Sequence, residues 1–180
     1  AWRRGAQVTL VSGPSPLAPP VGVHVVCVET AEQMRAAVAG ELPTADALLM
    51  AAAVADFRPA RPAAAKLKKE DRRAPPLPLE PTPDVLRATR ALRPAGCVVV
   101  GFALETDDAL ENGRRKLLGK ELDLLVVNDA TEPGAGFEVE TNRVTLLAPD
   151  RPDAALPLLS KHEVADAILD RVAARLAERS

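Results

Sequence analysis

Four short, unbroken apolar runs constrain this sequence most: residues 23–28, 47–54, 97–103 and 122–127. Each has strand length, and none alternates with polar residues, which is how strands buried on both faces read. A further strand is expected at 7–11. The stretches between these runs read as helices with defined starts. Thr30 with Gln33 forms a capping-box pattern ahead of Met34 and Val38. Thr82 and Pro83 offer an N-cap and a first-turn proline, with Asp84 placed to meet the helix dipole. Thr106, Asp107 and Asp108 open a helix that runs to about Lys120. Ser160 with Glu163 caps a last helix carrying Val164, Ile168, Leu169, Val172 and Leu176 on one side. Strands alternating with helices predict an α/β domain, a mostly parallel sheet with helices on both faces. Residues 143–148 and 156–159 read as two consecutive strands, a hairpin at the C-terminal edge.

The chain has 180 residues, which is room for one domain and its own core. Its start does not read as a beginning. Trp2, Arg3 and Arg4 before Gly5 look like the last turn of a helix and its glycine stop, so the chain is expected to open inside a βα unit and to be N-terminally incomplete as a domain. Residues 58–81 break the alternation. They hold six prolines and the charged run KLKKEDRR at 66–73, and a connection of that length and irregularity is expected to be a functional flap.

Charge and composition narrow the function. Twenty-three basic and 25 acidic side chains leave a net charge of −2, unlike the basic excess of nucleic-acid binders. With 2% aromatics and no tyrosine, base-stacking platforms are nearly excluded. No run approaches the ~20 apolar residues of a membrane span. Two cysteines, Cys27 and Cys97, sit in apolar strands and read as buried thiols. With no secretory leader read at the front, a reducing cytoplasm is the expected compartment. His24 and His162 lack metal-ligand spacing.

In open α/β sheets ligands bind beyond the carboxyl ends of the strands. Three strand exits carry polar residues: Asp56 and Arg58, then Glu105 and Thr106, then Asn128 and Asp129. Each alone is compatible with a cap or turn; three on one rim predict a site. Lysine is scarce, at six residues, where arginine is common. A site that keeps lysine suits a compact ammonium rather than a planar fork. Lys116 and Lys120, four apart on one helix stripe, have no acidic neighbour at helical spacing, which suits an anionic ligand; a solvated face is the alternative. Lys66, on the flap, is placed to fold over a polyphosphate and exclude water. Arg72 and Arg73 are balanced by Glu70 and Asp71. No Walker A or G-x-G-x-x-G sequence is present, so phosphate binding here would proceed without a P-loop.

Taken in order, VTLVSGP at 8–14, MAAAVADFRP at 50–59, KLKK at 66–69, TPD at 82–84, VGFALET at 100–106, KLLGK at 116–120, DLLVVND at 123–129 and SKHEV at 160–164 resemble the bacterial phosphopantothenoylcysteine synthetase family, the ligase half of bifunctional coenzyme A biosynthesis proteins. The match spans nearly the whole chain. It implies a Rossmann-like domain that joins 4′-phosphopantothenate to cysteine with CTP and Mg²⁺, through an acyl-cytidylate, in the cytoplasm and as a homodimer. It places CTP contacts at Met50, Ala51, Ala52, Asp56, Lys66, Pro83, Asp84, Val85, Leu86, Phe102, Lys116 and Lys120, with Lys66 also assisting catalysis. Asn128 and Asp129 match a family motif without an assigned role, and the metal ligands stay unknown. The family's N-terminal Gly/Thr-rich turn and Asn-Ser-Ser-Gly-type segment are not in this chain, so CTP binding is expected to outlast the full ligase reaction. FMN is expected only if a decarboxylase domain lies upstream. The competing readings are a non-catalytic nucleotide-binding or dimerisation fragment and an NAD(P)-dependent reductase.

Overall fold

The computed structural model describes residues 1–61, 76–105, 108–129 and 139–179, with Glu105 and Asp129 placed by their backbone. The chain opens with a 3₁₀ turn, Trp2–Arg4, closed by Gly5 at φ 88°, where a left-handed residue favours glycine. Strand β1 (Thr9–Ser12) pairs in parallel with β2 (His24–Cys27), Thr9 against His24. Helix α1 (Ala31–Glu41) follows, its capping box complete in both directions between Thr30 and Gln33. Strand β3 is Ala47–Met50.

The principal sheet has five strands, in the order β10 (Arg151–Ala155), β9 (Val144–Ala148), β7 (Leu124–Asp129), β6 (Val98–Glu105) and β3. Strand β6 lies between β3 and β7, parallel to both. Strand β9 runs antiparallel to β7 and turns back into β10 at the edge. The short pairs β4 (Phe57–Pro59) with β5 (Leu79–Pro81), and β8 (Thr141–Asn142) with β11 (Leu159–Ser160), are antiparallel.

Side-chain alternation divides the core between the two faces of this sheet. On one face Val99, Leu125, Val127 and Leu147 pack with Leu42, Leu86 of α2 (Val85–Ala88) and Leu117 of α3 (Ala109–Gly119). On the other, Val98, Val100, Leu124, Val126 and Leu146 pack with Val164, Ile168 and Val172 of α4 (Lys161–Arg179). A third cluster joins Val28, Met34, Val38 and Val85 under α1. The expected α/β fold, a mostly parallel sheet with helices on both faces, is present. Among the described residues no helix is long and apolar enough to cross a membrane.

Four expectations need correction. Strand β3 stops at Met50 rather than 54, because its ladder with β6 ends at Met50–Gly101. The edge hairpin exists, but its second strand is Arg151–Ala155, not 156–159. An edge strand needs only one apolar side, and Ala154 supplies it. Pro152 lies within the register shift between Arg151 and Ala154, where a missing N–H costs little. The cap of α2 is Asp84, which accepts from the Arg87 amide at 3.2 Å; Thr82 instead donates its hydroxyl to the Ala55 carbonyl. Cys97 is buried as expected, and burial pushes its thiol pKa up. Cys27 is exposed, since alternation turns it to the face opposite Val26 and Val28.

Candidate functional site

The carboxyl ends of the parallel strands form one rim. Strands β6 and β7 end level, Leu104 opposite Asn128 and Glu105 opposite Asp129. Strand β3 leaves four residues earlier, opposite Gly101. The approach to that glycine is close: a Cβ there would lie 2.6 Å from Leu122 Cδ1 and 3.1 Å from Leu125 Cδ1, so both side chains would have to shift. After Met50, which is half-buried, Ala51 and Ala52 are exposed and Asp56 lies exposed in a bend before β4. Asn128 is half-buried at the rim, and its side-chain oxygen is buried without a hydrogen-bond partner. Asp129 is placed by backbone alone. Lys66 lies outside the described residues, as do Lys68, Lys69, Arg72 and Arg73.

An open cleft lies where α3 meets the start of α2. It is lined by Asp84, Arg87, Asn112, Arg115, Lys116, Gly119 and Lys120. The helical spacing expected of Lys116 and Lys120 is realised, with Lys116 in the last turn of α3 and Lys120 at its C-cap. Lys120, however, has an acidic partner: its ammonium is 3.0 Å from Asp84 Oδ2. That carboxylate is remote in sequence, so helix spacing could not reveal it. Partial burial alone would raise the Asp84 pKa. The Lys120 ammonium and the Arg87 amide outweigh it and hold the carboxyl below its ordinary value. The buried side chains of Val85 and Leu86 belong to the core, so this segment offers a ligand backbone rather than side chains.

Phe102 is not brought into this cleft. Alternation along β6 puts it on the α4 face with Val98 and Val100, where it is 39% exposed. The expected contact set is therefore divided between the two faces of the sheet.

Sequence reasoning missed Arg87, Asn112 and Arg115 as cleft residues. Helical spacing sets Arg115 beside Glu111, four residues earlier; in the structure it donates to the Asn112 side chain. It also missed Arg93, which donates to the carbonyls of Leu86 at 2.8 Å, Glu121 at 3.0 Å and Lys120 at 3.3 Å. No sequence signal marks an arginine in a loop for such a task.

Fold and cleft together define an α/β domain of the doubly wound class with a cation-lined depression between the C-terminal half of α3 and the start of α2. Residues 1–176 match the family model described as DNA/pantothenate metabolism flavoprotein, C-terminal domain, and the chain belongs to that family. It is 46% identical over 187 residues to the coenzyme A biosynthesis bifunctional protein CoaBC of Mycobacterium tuberculosis, a match covering 98% of this chain and 44% of that protein. The chain thus spans less than half the length of the curated relatives it matches. The crystal structure of the C-terminal domain of CoaBC superposes with a TM-score of 0.81 at 33% identity, over 98% of this chain and 78% of that one. A Cab2 mutant in complex with phosphopantothenate-cysteine shares the fold, with a TM-score of 0.67 at 21% identity over 87% of this chain and 54% of that one. The family resemblance and fold class expected from sequence are both borne out.

Proposed function

We propose that residues 1–180 belong to a single CTP-binding ligase domain that makes phosphopantothenoylcysteine. The observation that carries the reading is the cleft on which Lys116, Lys120 and Asp84, the cap of α2, converge. The substrate combination is highly charged, and closely set ammoniums suit a triphosphate. The names of the CoaBC relatives support a role in coenzyme A biosynthesis, and the ligand in the Cab2 complex supports the product class.

The proposed chemistry has two steps. A carboxylate oxygen of 4′-phosphopantothenate attacks the α-phosphorus of CTP; the P–O bond to the β-phosphate breaks, and pyrophosphate leaves. The amine of cysteine then attacks the acyl carbon, the acyl–oxygen bond breaks, CMP departs and the amine gives up its proton to solvent. Lys116 and Lys120 neutralise phosphate oxygens, backbone from Met50 to Ala52 and around Val85 and Leu86 orients the nucleotide, and Phe102 and Asp56 contact it across the rim. Lys66 binds and assists at the phosphates. Mg²⁺, when bound, withdraws charge from the departing pyrophosphate. Among the described residues no group of three or more His, Cys, Asp or Glu side chains could hold a metal. FMN has no step in this domain. The enzyme acts in the cytoplasm as a homodimer, on small molecules rather than nucleic acid or membrane.

The test is a nucleotide panel on the full-length protein with pyrophosphate release as readout. CTP should be preferred over ATP and NADPH, and release should require phosphopantothenate. Release independent of phosphopantothenate, or equal binding of NADPH, overturns the reading. Lys66→Gln should lower intermediate formation far more than Arg72→Gln; equal effects remove Lys66 from its role.

A further inference from the structure

We infer that Arg93 is a positioning residue of the cation cleft, fastening the turn that carries Lys120 to the backbone of α2. Three observations converge on it. Its two terminal nitrogens reach three carbonyls on two separate segments: Leu86 on α2, and Lys120 and Glu121 on the turn after α3. These side-chain donors bridge segments that are otherwise distant in sequence, and a planar fork does this better than an ammonium. The turn itself is backbone-strained. Glu121 sits at φ 51°, a left-handed conformation that a residue with a long side chain adopts only when its surroundings enforce it. Backbone bonds from the Glu121 and Leu122 amides to the Leu118 and Leu117 carbonyls close the helix end there, and two arginines from one short segment add to them, Arg93 through the Glu121 carbonyl and Arg90 through an ion pair with the Glu121 carboxylate at 2.5 Å.

The consequence reaches the cleft. The Lys120 ammonium meets Asp84, the cap of α2, at 3.0 Å, and that pairing requires the turn and α2 to keep a fixed separation. Arg93 spans the same two segments from the core side, where it is half-buried and its Nε is enclosed without a partner. Both terminal nitrogens thus already donate to main-chain carbonyls, while Nε stays unpaired. Removing it should loosen the position of Lys120 without removing any ligand-contacting group.

This inference rests on the nucleotide reading of the cleft, and the experiment separates the two. Magnesium-CTP binding is measured by calorimetry on the same protein as above, in the wild type, Arg93→Met, Lys120→Met and the double variant, with amide hydrogen exchange followed in parallel. Arg93→Met should weaken binding about tenfold when Lys120 is present and less than about twofold in the Lys120→Met background, the signature of coupling. Exchange at the amides of Lys120, Glu121 and Leu122, which bond back to Lys116, Leu118 and Leu117, should rise about tenfold or more while Val126 and Val127 stay protected. Equal losses of binding in both backgrounds, or unchanged exchange at the turn, overturn the proposal. If the wild type binds no CTP yet exchange rises on Arg93→Met, the nucleotide reading fails and the fastening role stands. Should Arg93→Met not fold, Arg93→Lys, which keeps the charge but not the fork, goes through the same measurements with the same criteria.

Discussion

Helices α3 and α4 lie on opposite faces of one sheet and are built for different tasks. Helix α4 is fastened along its length. Ser160 and Glu163 cap it reciprocally, with the Glu163 amide 3.2 Å from Ser160 Oγ and the Ser160 amide 2.8 Å from Glu163 Oε2. Val164, Ile168 and Val172 are buried beneath it. Arg175 grips Asp150 of the hairpin turn at 2.5 Å, Arg179 pairs with Asp123, and Arg4 reaches Asp166 and Asp170 at 2.8 and 2.7 Å. Helix α3 starts at Asp108 in a left-handed conformation with no side-chain cap bond, buries only Gly113 and Leu117, and leaves Leu110 and Leu118 exposed. A helix held by two buried positions and by Arg114, which donates to the Ala148 carbonyl and pairs with Asp153, leaves the side carrying Asn112, Arg115, Lys116 and Gly119 to the cleft. One held by a long stripe and several ion pairs serves as a foundation.

The sharpest way to break this contrast is to remove the attachment of α3. Leu117 has no exposed surface, so Leu117→Ala should cost about 2–5 kcal/mol in denaturant unfolding, whereas Leu118→Ala, one residue on and 64% exposed, should cost less than about 0.5 kcal/mol. Next comes Gly113→Ala. Its Cβ would lie 2.8 Å from Val127 Cγ2 and 2.9 Å from Leu147 Cδ1. Overpacking of about 1–3 kcal/mol should exceed the gain of about 1 kcal/mol in helix propensity, so the variant melts lower. Smaller still are the caps. Ser160→Ala should lower stability by about 1 kcal/mol, while Asp108→Gly should raise it by about 0.4–1 kcal/mol by admitting the left-handed residue without strain.

The smallest effect concerns pH. Hydrogen bonding from Arg175 holds the Asp150 carboxyl down at about 2 against its partial desolvation. A depressed carboxylate pKa contributes stability that is present above the unfolded value near 4 and is lost as pH falls toward 2. Carboxyl chemical shifts should therefore show Asp150 titrating near 2, and Arg175→Met should return it toward 4.

Much of the fold was legible because burial on both faces leaves continuous apolar runs: β6 and β7 follow directly from residues 97–103 and 122–127. Capping chemistry was equally readable at Thr30 and Ser160, where the partners lie three residues apart. Boundaries set by neighbouring strands were not. The end of β3 depends on where β6 stops accepting pairs, and β10 depends on a bulge that places Ala154 against the core. At the candidate site, Lys116 and Lys120 were visible from helical spacing and lysine scarcity. The Asp84 partner of Lys120, and the Lys120 and Glu121 carbonyls held by Arg93, arise from tertiary approach between segments about 30 residues apart and leave no periodic trace.

The β4–β5 pair has a bearing on engineering. Its ladder continues to a bond from the Ala60 amide to the Pro78 carbonyl at 2.9 Å, so the intervening chain leaves and returns through one clasped stem. The entropy of closing such a circuit grows only logarithmically, about 0.6 kcal/mol for each doubling of its length. Reporter peptides or affinity handles spliced into that circuit should be borne by the clasp, leaving the registry of the main sheet as it is.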